Sequence, residues 1–477
     1  LLPFFQLADA VQRNQPQVGI YAYRGGILKK ALYSAMQTTF PNGVFAPIND
    51  ASRTMDVTSP EATVAVDLGY GQYGADESLL AAAAMQGDVI LNGAGLKVAR
   101  DMAAHAGTPK ARWGSVEFTD GADGARGGLG ILRSGEGTDA TMLLMKYGVH
   151  GQGHGHFDKL HFIFFDGGNE VVPDYGFSRW INIEPKFGGR YLPENDSYAK
   201  QTIAHNTVTV DGQSQSAGSY RADEEKWATR HFFDARNPAA QAMSAKADGF
   251  YPGVSMQRTM LLVRDARLPY PVVLDLYRLK SAAQHTYDYP VHFRGQLVAS
   301  NVKYEAHTAR QDALGTAAGY QHLWNEASAS TDSVVRMTWL DGHRYYSVTT
   351  AGAPSTQVIF ARTGAGDPSF NLIQEPAMIL RRRAGDQLFA SAIEPHGFFS
   401  ELEERSADAR PSIQSVRVIG QSDEASVVEV TGKDGLRWTV MVSNGPASDT
   451  ARHRVAFGGQ TYEWTGNYSV QGLQAPR

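Results

Sequence analysis

Leu160-His-Phe-Ile-Phe-Phe-Asp-Gly-Gly-Asn-Glu-Val-Val172 is the stretch on which the fold reading turns. An apolar run, then Asp166-Gly167-Gly168-Asn169, then Glu170-Val171-Val172 is the pattern of a β-hairpin, with turn residues that tolerate positive φ. Downstream the signature repeats. Thr207-Val-Thr-Val210 runs into Asp211-Gly212, and Arg336-Met-Thr-Trp-Leu340 into Asp341-Gly342. Ser426-Val-Val-Glu-Val430 and Trp438-Thr-Val-Met-Val442 carry strand composition toward the end.

Upstream the period changes to that of helices. Leu1 to Val11 begins as if in mid-helix. Between Arg24 and Thr39 the spacing puts Ile27, Leu28, Ala31, Leu32, Ala35 and Met36 on one face. Ser59-Pro60-Glu61 is a helix start, and Asp76 to Met85 has an acidic start and an alanine-rich body. Gly121 to Gly137 reads as a linker or loop, with strands from about Leu132. The fold class is therefore α+β and multidomain. Residues 1–112 are expected to be helical, 113–395 an antiparallel β-sheet region, sandwich-like, and 396–477 a C-terminal β-sheet extension. No short internal repeat is present.

Composition narrows the function. The chain has 477 residues, 42% hydrophobic and 19% charged, which is ordinary for globular domains. A formal charge of −5 argues against nucleic acid as a partner. Zero cysteines exclude disulfides, thiolate zinc and a cysteine nucleophile. No apolar run reaches membrane-spanning length. The chain opens on Leu with no signal-peptide pattern, and reads as processed or truncated there. Nucleophile-elbow, P-loop and dinucleotide motifs are all missing.

Five of the fourteen histidines, His150, His154, His156, His161 and His205, lie within one short stretch. The hairpin would bring Asp174 back beside His156, and His205 heads a third strand that could pair next to them. His156, Asp174 and His205 are thus a candidate zinc set, two imidazoles and a carboxylate. The competing reading is histidines hydrogen-bonded at strand ends. His154 would share a face with His156 in an extended chain, as ligand, proton donor or substrate contact, or else as a solvated loop residue. Tyr175, Phe177, Trp180, Phe187, Tyr191 and Tyr198 crowd one segment with Arg179, Lys186, Arg190 and Lys200. That mixture suits a sugar bearing carboxylates, or equally a surface loop with aromatic anchors. Arg381-Arg-Arg383 reads as a solvated strand end.

Taken together, Gly-His154-Gly-His156-Phe-Asp158-Lys-Leu, Pro-Asp174-Tyr-Gly, Gly-Gly-Arg-Tyr191-Leu-Pro-Glu-Asn and Ala-Lys-Gln-Thr-Ile-Ala-His205-Asn-Thr-Val resemble the heparinase II/III-like lyases. Within them they look most like the exo-acting oligoalginate lyases of polysaccharide lyase family seventeen. Leu1-Leu-Pro-Phe-Phe5, Asn92-Gly-Ala-Gly-Leu-Lys-Val-Ala99 and Ile393-Glu-Pro-His-Gly397 extend the likeness over most of the chain.

The resemblance implies the last helices of an (α/α) toroid followed by an antiparallel β-sheet domain. It implies a structural zinc on His156, Asp174 and His205. His154, Arg179 and Tyr191 would line the substrate cleft, with Tyr191 and His154 taking part in the chemistry. The implied reaction is exolytic β-elimination on an acidic oligosaccharide, alginate, in the periplasm or outside the cell; the alternatives are a heparinase-like lyase acting on another uronate polysaccharide and a carbohydrate-binding protein without activity. The family's catalytic tyrosine and an Asn-His pair lie upstream of the segment matching Leu1. A missing N-terminal segment is therefore an expected partner, and a homodimer stays open. Beside Arg179 or Arg190 the Tyr191 phenolate would be favoured, giving an acid/base role; the alternative is a stacking platform.

Overall fold

In the computed structural model, residues 1–137, 140–177, 189–364, 366 and 371–474 are described. Five helices open the chain: α1 (Leu2–Asn14), α2 (Tyr23–Gln37), α3 (Pro60–Tyr73), α4 (Glu77–Gln86) and α5 (Gly93–Ala104). Their starts follow the capping logic of the sequence. Ser59 accepts from the Ala62 N–H, Asp76 from Ser78 and Leu79, and Asn92 from Ala94 and Gly95. Leu32 and Met36 of the expected α2 face are buried, whereas Ile27 at its start is exposed. Arg24, Gly25 and Gly26 hold positive φ there, so regular helix begins only after them.

Beyond them the described residues are mainly antiparallel β, with short helical turns such as Tyr220–Glu224 between strands. A five-stranded sheet spans Val116–Thr119 to Asn169–Val172. Eight-stranded and six-stranded sheets follow, and a four-stranded sheet begins at Ile413–Gln421. The first three share one core, which joins Leu143 and Phe162, Met260 and Trp339, and Tyr289 and Met378. Pleat alternation lets the eight-stranded sheet serve two cores. On Val272–Lys280, Val273 and Tyr277 face that shared core, while Val272, Leu274 and Leu276 meet Val428, Trp438 and Val440 of the four-stranded sheet.

Three expectations need correction. Gly121 to Gly137 is not a linker, for it contains the strand Gly128–Ser134. Its glycines are packing residues: a Cβ on Gly128 would lie 2.2 Å from the Phe118 carbonyl oxygen, and one on Gly127 2.0 Å from that of Tyr147. The strand after His205 does not join the hairpin's sheet. Only Thr209–Val210 is extended, and it pairs with His285–His292 in the six-stranded sheet. Nor is Arg381-Arg-Arg383 a solvated end. Arg381 pairs with Asp288 at 2.7 Å, and buried Arg382 donates to Thr356 Oγ1 and the Ala351 carbonyl.

Candidate functional site

The hairpin turns as expected, with His161–Asp166 and Asn169–Val172 joined by Gly167 and Gly168, both at positive φ. Pro173 then leads to Asp174, whose side chain accepts from the Gly176 N–H at 2.8 Å. His205 follows the 3₁₀ turn Thr202–Ala204. The structure brings His156, Asp174 and His205 together, fully buried, with one ligand-type atom of each within 4.8 Å of the others. What aligns them is a lattice of hydrogen bonds more than strand pairing. Asn206 donates to the Pro173 carbonyl and accepts from the His292 N–H, both at 2.8 Å. Its own N–H goes to His161 Nδ1, which leaves the proton of a neutral His161 on Nε2, 3.1 Å from Asp174 Oδ2. Beneath, Arg258 forms a buried pair with Asp275 at 2.5 Å and donates to the carbonyls of Leu160 and Asn206.

Asp50 was not singled out by the sequence. It comes from the α2–α3 connection, is almost wholly buried, and touches both candidate imidazoles. Oδ2 meets His154 Nδ1 at 2.9 Å and Oδ1 meets His156 Nε2 at 3.2 Å, while Asn195 donates to Oδ1 at 2.8 Å. The Asp50 N–H also donates to the His154 carbonyl at 3.2 Å. Burial alone would raise the Asp50 carboxyl, but the bonds from His156, Asn195 and His154 hold it well below the usual range. Arg53, from the same connection, pairs with Glu375 and donates to the Asp174 carbonyl. The connection thus clamps the helices to the β region at the cluster.

His154 and His156 do not share an extended face. Gly151 and Gln152 take positive φ and Gln152–His154 forms a 3₁₀ turn, so His156 is buried while the His154 side chain is 66% exposed. Asp50 nonetheless ties them together. Burial pushes the His156 imidazole down to about 4, against the opposing bond from Asp50, so it is neutral at pH 7, the ligating form. His156 Nδ1 and both His205 nitrogens are buried with no hydrogen-bond partner among the described residues. Orphaned donors and acceptors of that kind are costly in a protein interior, and a metal ion would satisfy them. The donor set fits zinc.

Of the remaining candidates, Tyr191 ends the short turn Gly189–Tyr191 with 80% of its surface exposed. Arg190 lies over the Phe177 ring at 5.8 Å, not over Tyr191. Arg179, Trp180, Lys186 and Phe187 lie outside the described residues. Tyr175 and Tyr198 are core residues: Tyr175 Oη accepts from the Ile373 N–H and Tyr198 Oη bonds Thr363. Among the described residues, no helix is long and apolar enough to cross a membrane.

Comparison with known proteins bears on the family and the fold. The family model for the heparinase II/III-like C-terminal region matches residues 118–373. The chain is 38% identical to an alginate lyase of Stenotrophomonas maltophilia (strain K279a), over 98% of its own length and 62% of that protein. It is 37% identical to an exo-oligoalginate lyase of Saccharophagus degradans, over 98% and 64%. The chain therefore spans somewhat less than two thirds of the curated relatives it matches. Among solved structures, a heparinase III superposes with a TM-score of 0.60 at 14% identity, covering 92% of this chain and 56% of that one. A heparan sulfate lyase from Pedobacter heparinus gives 0.56 at 16%, covering 93% and 57%. These likenesses concern the fold, and the α+β, multidomain class read from the sequence holds.

Proposed function

The chain belongs to the heparinase II/III-like family, and from that premise we propose that it is the metal-bearing part of a polysaccharide lyase acting exolytically on alginate oligosaccharides. One observation carries the reading. A buried cluster suited to zinc is joined through a single carboxylate, Asp50, to a solvent-facing imidazole, His154. Two relatives, 38% and 37% identical over 98% of this chain, are named for alginate or oligoalginate cleavage. The same reading puts the protein in the periplasm or outside the cell, where such a polymer is met.

β-Elimination needs the uronate carboxylate neutralised, a base for the C5 proton and an acid for the departing O4. With Nδ1–H held by Asp50, His154 presents Nε2 outward as an acceptor for a sugar hydroxyl or a phenol. Tyr191 is the exposed phenol, and Arg179 the cation assigned to the carboxylate. His156, Asp174 and His205 would hold zinc; when bound, the ion supplies cohesion to the floor beneath His154. His156 Nε2 is engaged by Asp50, so Nδ1 is the nitrogen that would be left to hold the ion.

The test is an ultraviolet assay for the conjugated unsaturated uronate, on this chain and on a version extended at its N-terminus, with zinc measured on the same samples. The expected result is an absorbance rise with oligoalginate and near-stoichiometric zinc that His205→Ala removes. A rise only with heparan- or hyaluronan-type chains would overturn the substrate, and metal-free active protein would overturn the zinc assignment.

A further inference from the structure

Away from the histidine cluster, the strands Gln296–Ser300 and Val335–Asp341, the connection 409–411 and the four-stranded sheet's border line an open cavity of about 370 Å³. Its charge is one-sided. Arg336, Arg410 and Lys433 line it beside Asn301, Thr338 and Gln414, and no carboxylate is among the described lining residues. None of the three cations forms an ion pair with a described residue. Nearby cations behave otherwise: Arg405 pairs with Glu403 at 3.1 Å, Arg417 with Glu429 at 2.9 Å and Arg278 with Asp423 at 2.9 Å. In a chain whose net charge is −5, this is a local inversion of sign.

The walls are built to stay in place. The Arg336 N–H donates to Asn301 Oδ1 at 2.6 Å, and Asn301 Nδ2 is itself tied to the Val334 carbonyl at 2.8 Å. Lys433 Nζ approaches the Arg410 carbonyl at 3.4 Å. The buried Glu394 behind the wall accepts from the Ser412 and Ile413 N–H groups at 2.7 and 2.8 Å, fixing the chain as it leaves Arg410. Gathering like charges on a rigid scaffold costs Coulomb energy that a bound anion would recover.

The cavity also faces away from the cluster. Val335, Met337 and Trp339 point into the shared core, so Arg336 and Thr338 project from the sheet's other face. Arg258, which supports the histidine cluster, sits four strands from Arg336 in sheet order, roughly 19 Å at about 4.8 Å per strand. We propose that this cavity is an accessory site for the carboxylates of an acidic oligosaccharide, engaging the polymer at a point separate from the cleft. The ligand class rests on the lyase reading; the cavity's call for an anion does not. Arg336 and Arg410 would take carboxylates in forked geometry, Lys433 as a point charge, and Asn301 and Gln414 the sugar hydroxyls.

Electrophoresis of the whole chain in native gels cast with alginate, each mobility divided by that in a gel without polymer, tests this. Combining Arg336→Ala, Arg410→Ala and Lys433→Ala should weaken retardation about tenfold. Zinc content, unfolding midpoint and turnover of short oligouronates should stay as they were. Retardation unchanged in the triple variant, or absent in the parent, overturns the site. If sulfate at matched ionic strength relieves retardation as well as an oligouronate does, a plain anion site replaces the uronate assignment. A chain that is retarded through these cations yet forms no unsaturated product would sink the lyase reading and leave this one standing.

Discussion

On its inner face the eight-stranded sheet meets the histidine cluster through Arg258 and Asp275, which with Tyr289 of the six-stranded sheet form a chain of buried polar groups bonded to one another and to the Leu160 and Asn206 carbonyls. On its outer face it meets the four-stranded sheet through Leu261, Leu274, Ala390, Val428, Trp438 and Val440. Polar links accompany that apolar contact: Trp438 Nε1 donates to Asp265 at 2.8 Å, Lys246 to the Asn444 carbonyl at 2.6 Å and Tyr468 to the Ala240 carbonyl at 2.6 Å. The difference separates two jobs of a fold. Apolar area is non-directional and roughly proportional to what is buried, so it suits holding one sheet against another. Hydrogen bonds to charged groups fix atoms at defined distances, so they suit a face that must aim two imidazoles and a carboxylate at one point.

Arg258→Ala tests the inner face and should have the largest effect. It leaves the buried Asp275 carboxyl without its cation, and strips the Leu160 and Asn206 carbonyls of their donor. Breaking a buried pair in this way costs about 3–5 kcal/mol. Because those carbonyls flank the strand after His156 and the residue after His205, zinc content should fall as well. Denaturant unfolding and elemental analysis check both; a variant that loses stability but keeps its metal would mean that the polar chain does not position the cluster.

Leu274→Ala is the matching test of the outer face. It opens a cavity between two sheets and should cost about 2–4 kcal/mol. Here the metal should stay, since nothing on that face touches the cluster. Zinc loss alongside the destabilisation would erase the contrast, because the two faces would then be one cooperative unit.

The same contrast explains which features could be read from the chain alone. Area is written in local pattern, so the hairpin at 160–172, the strands near Val428 and Val440 and the caps at Ser59 and Asp76 were all legible. So was the histidine cluster, whose members lie close in the chain. Directional contacts between distant segments leave no period. Asp50 reaches His156 across 106 residues from a connection between helices, and nothing in Pro47-Ile48-Asn49-Asp50 announces it. Arg258 did leave a trace, a charged residue at an inward position of Met256-Gln-Arg-Thr-Met260, where an apolar side chain is expected. Gly128 and Gly130 misled in the opposite sense, since close backbone approach and a flexible linker both call for glycine.

Tyr191→Phe probes a third kind of place, one that neither face supports, and should have the smallest effect on stability. Tyr191 is 80% exposed, so removing the hydroxyl should change stability by no more than about 0.5 kcal/mol. Zinc content should not move. Turnover in the unsaturated-uronate assay is where an effect is expected. A phenol that donates or accepts the proton at the scissile position contributes roughly 10²–10⁴-fold, and the substitution keeps the ring while deleting that proton. A platform that only stacks against the sugar would keep its turnover number and lose little in KM, because the aromatic face is intact. Turnover within about threefold of the parent would therefore leave Tyr191 a binding surface and remove it from the chemistry.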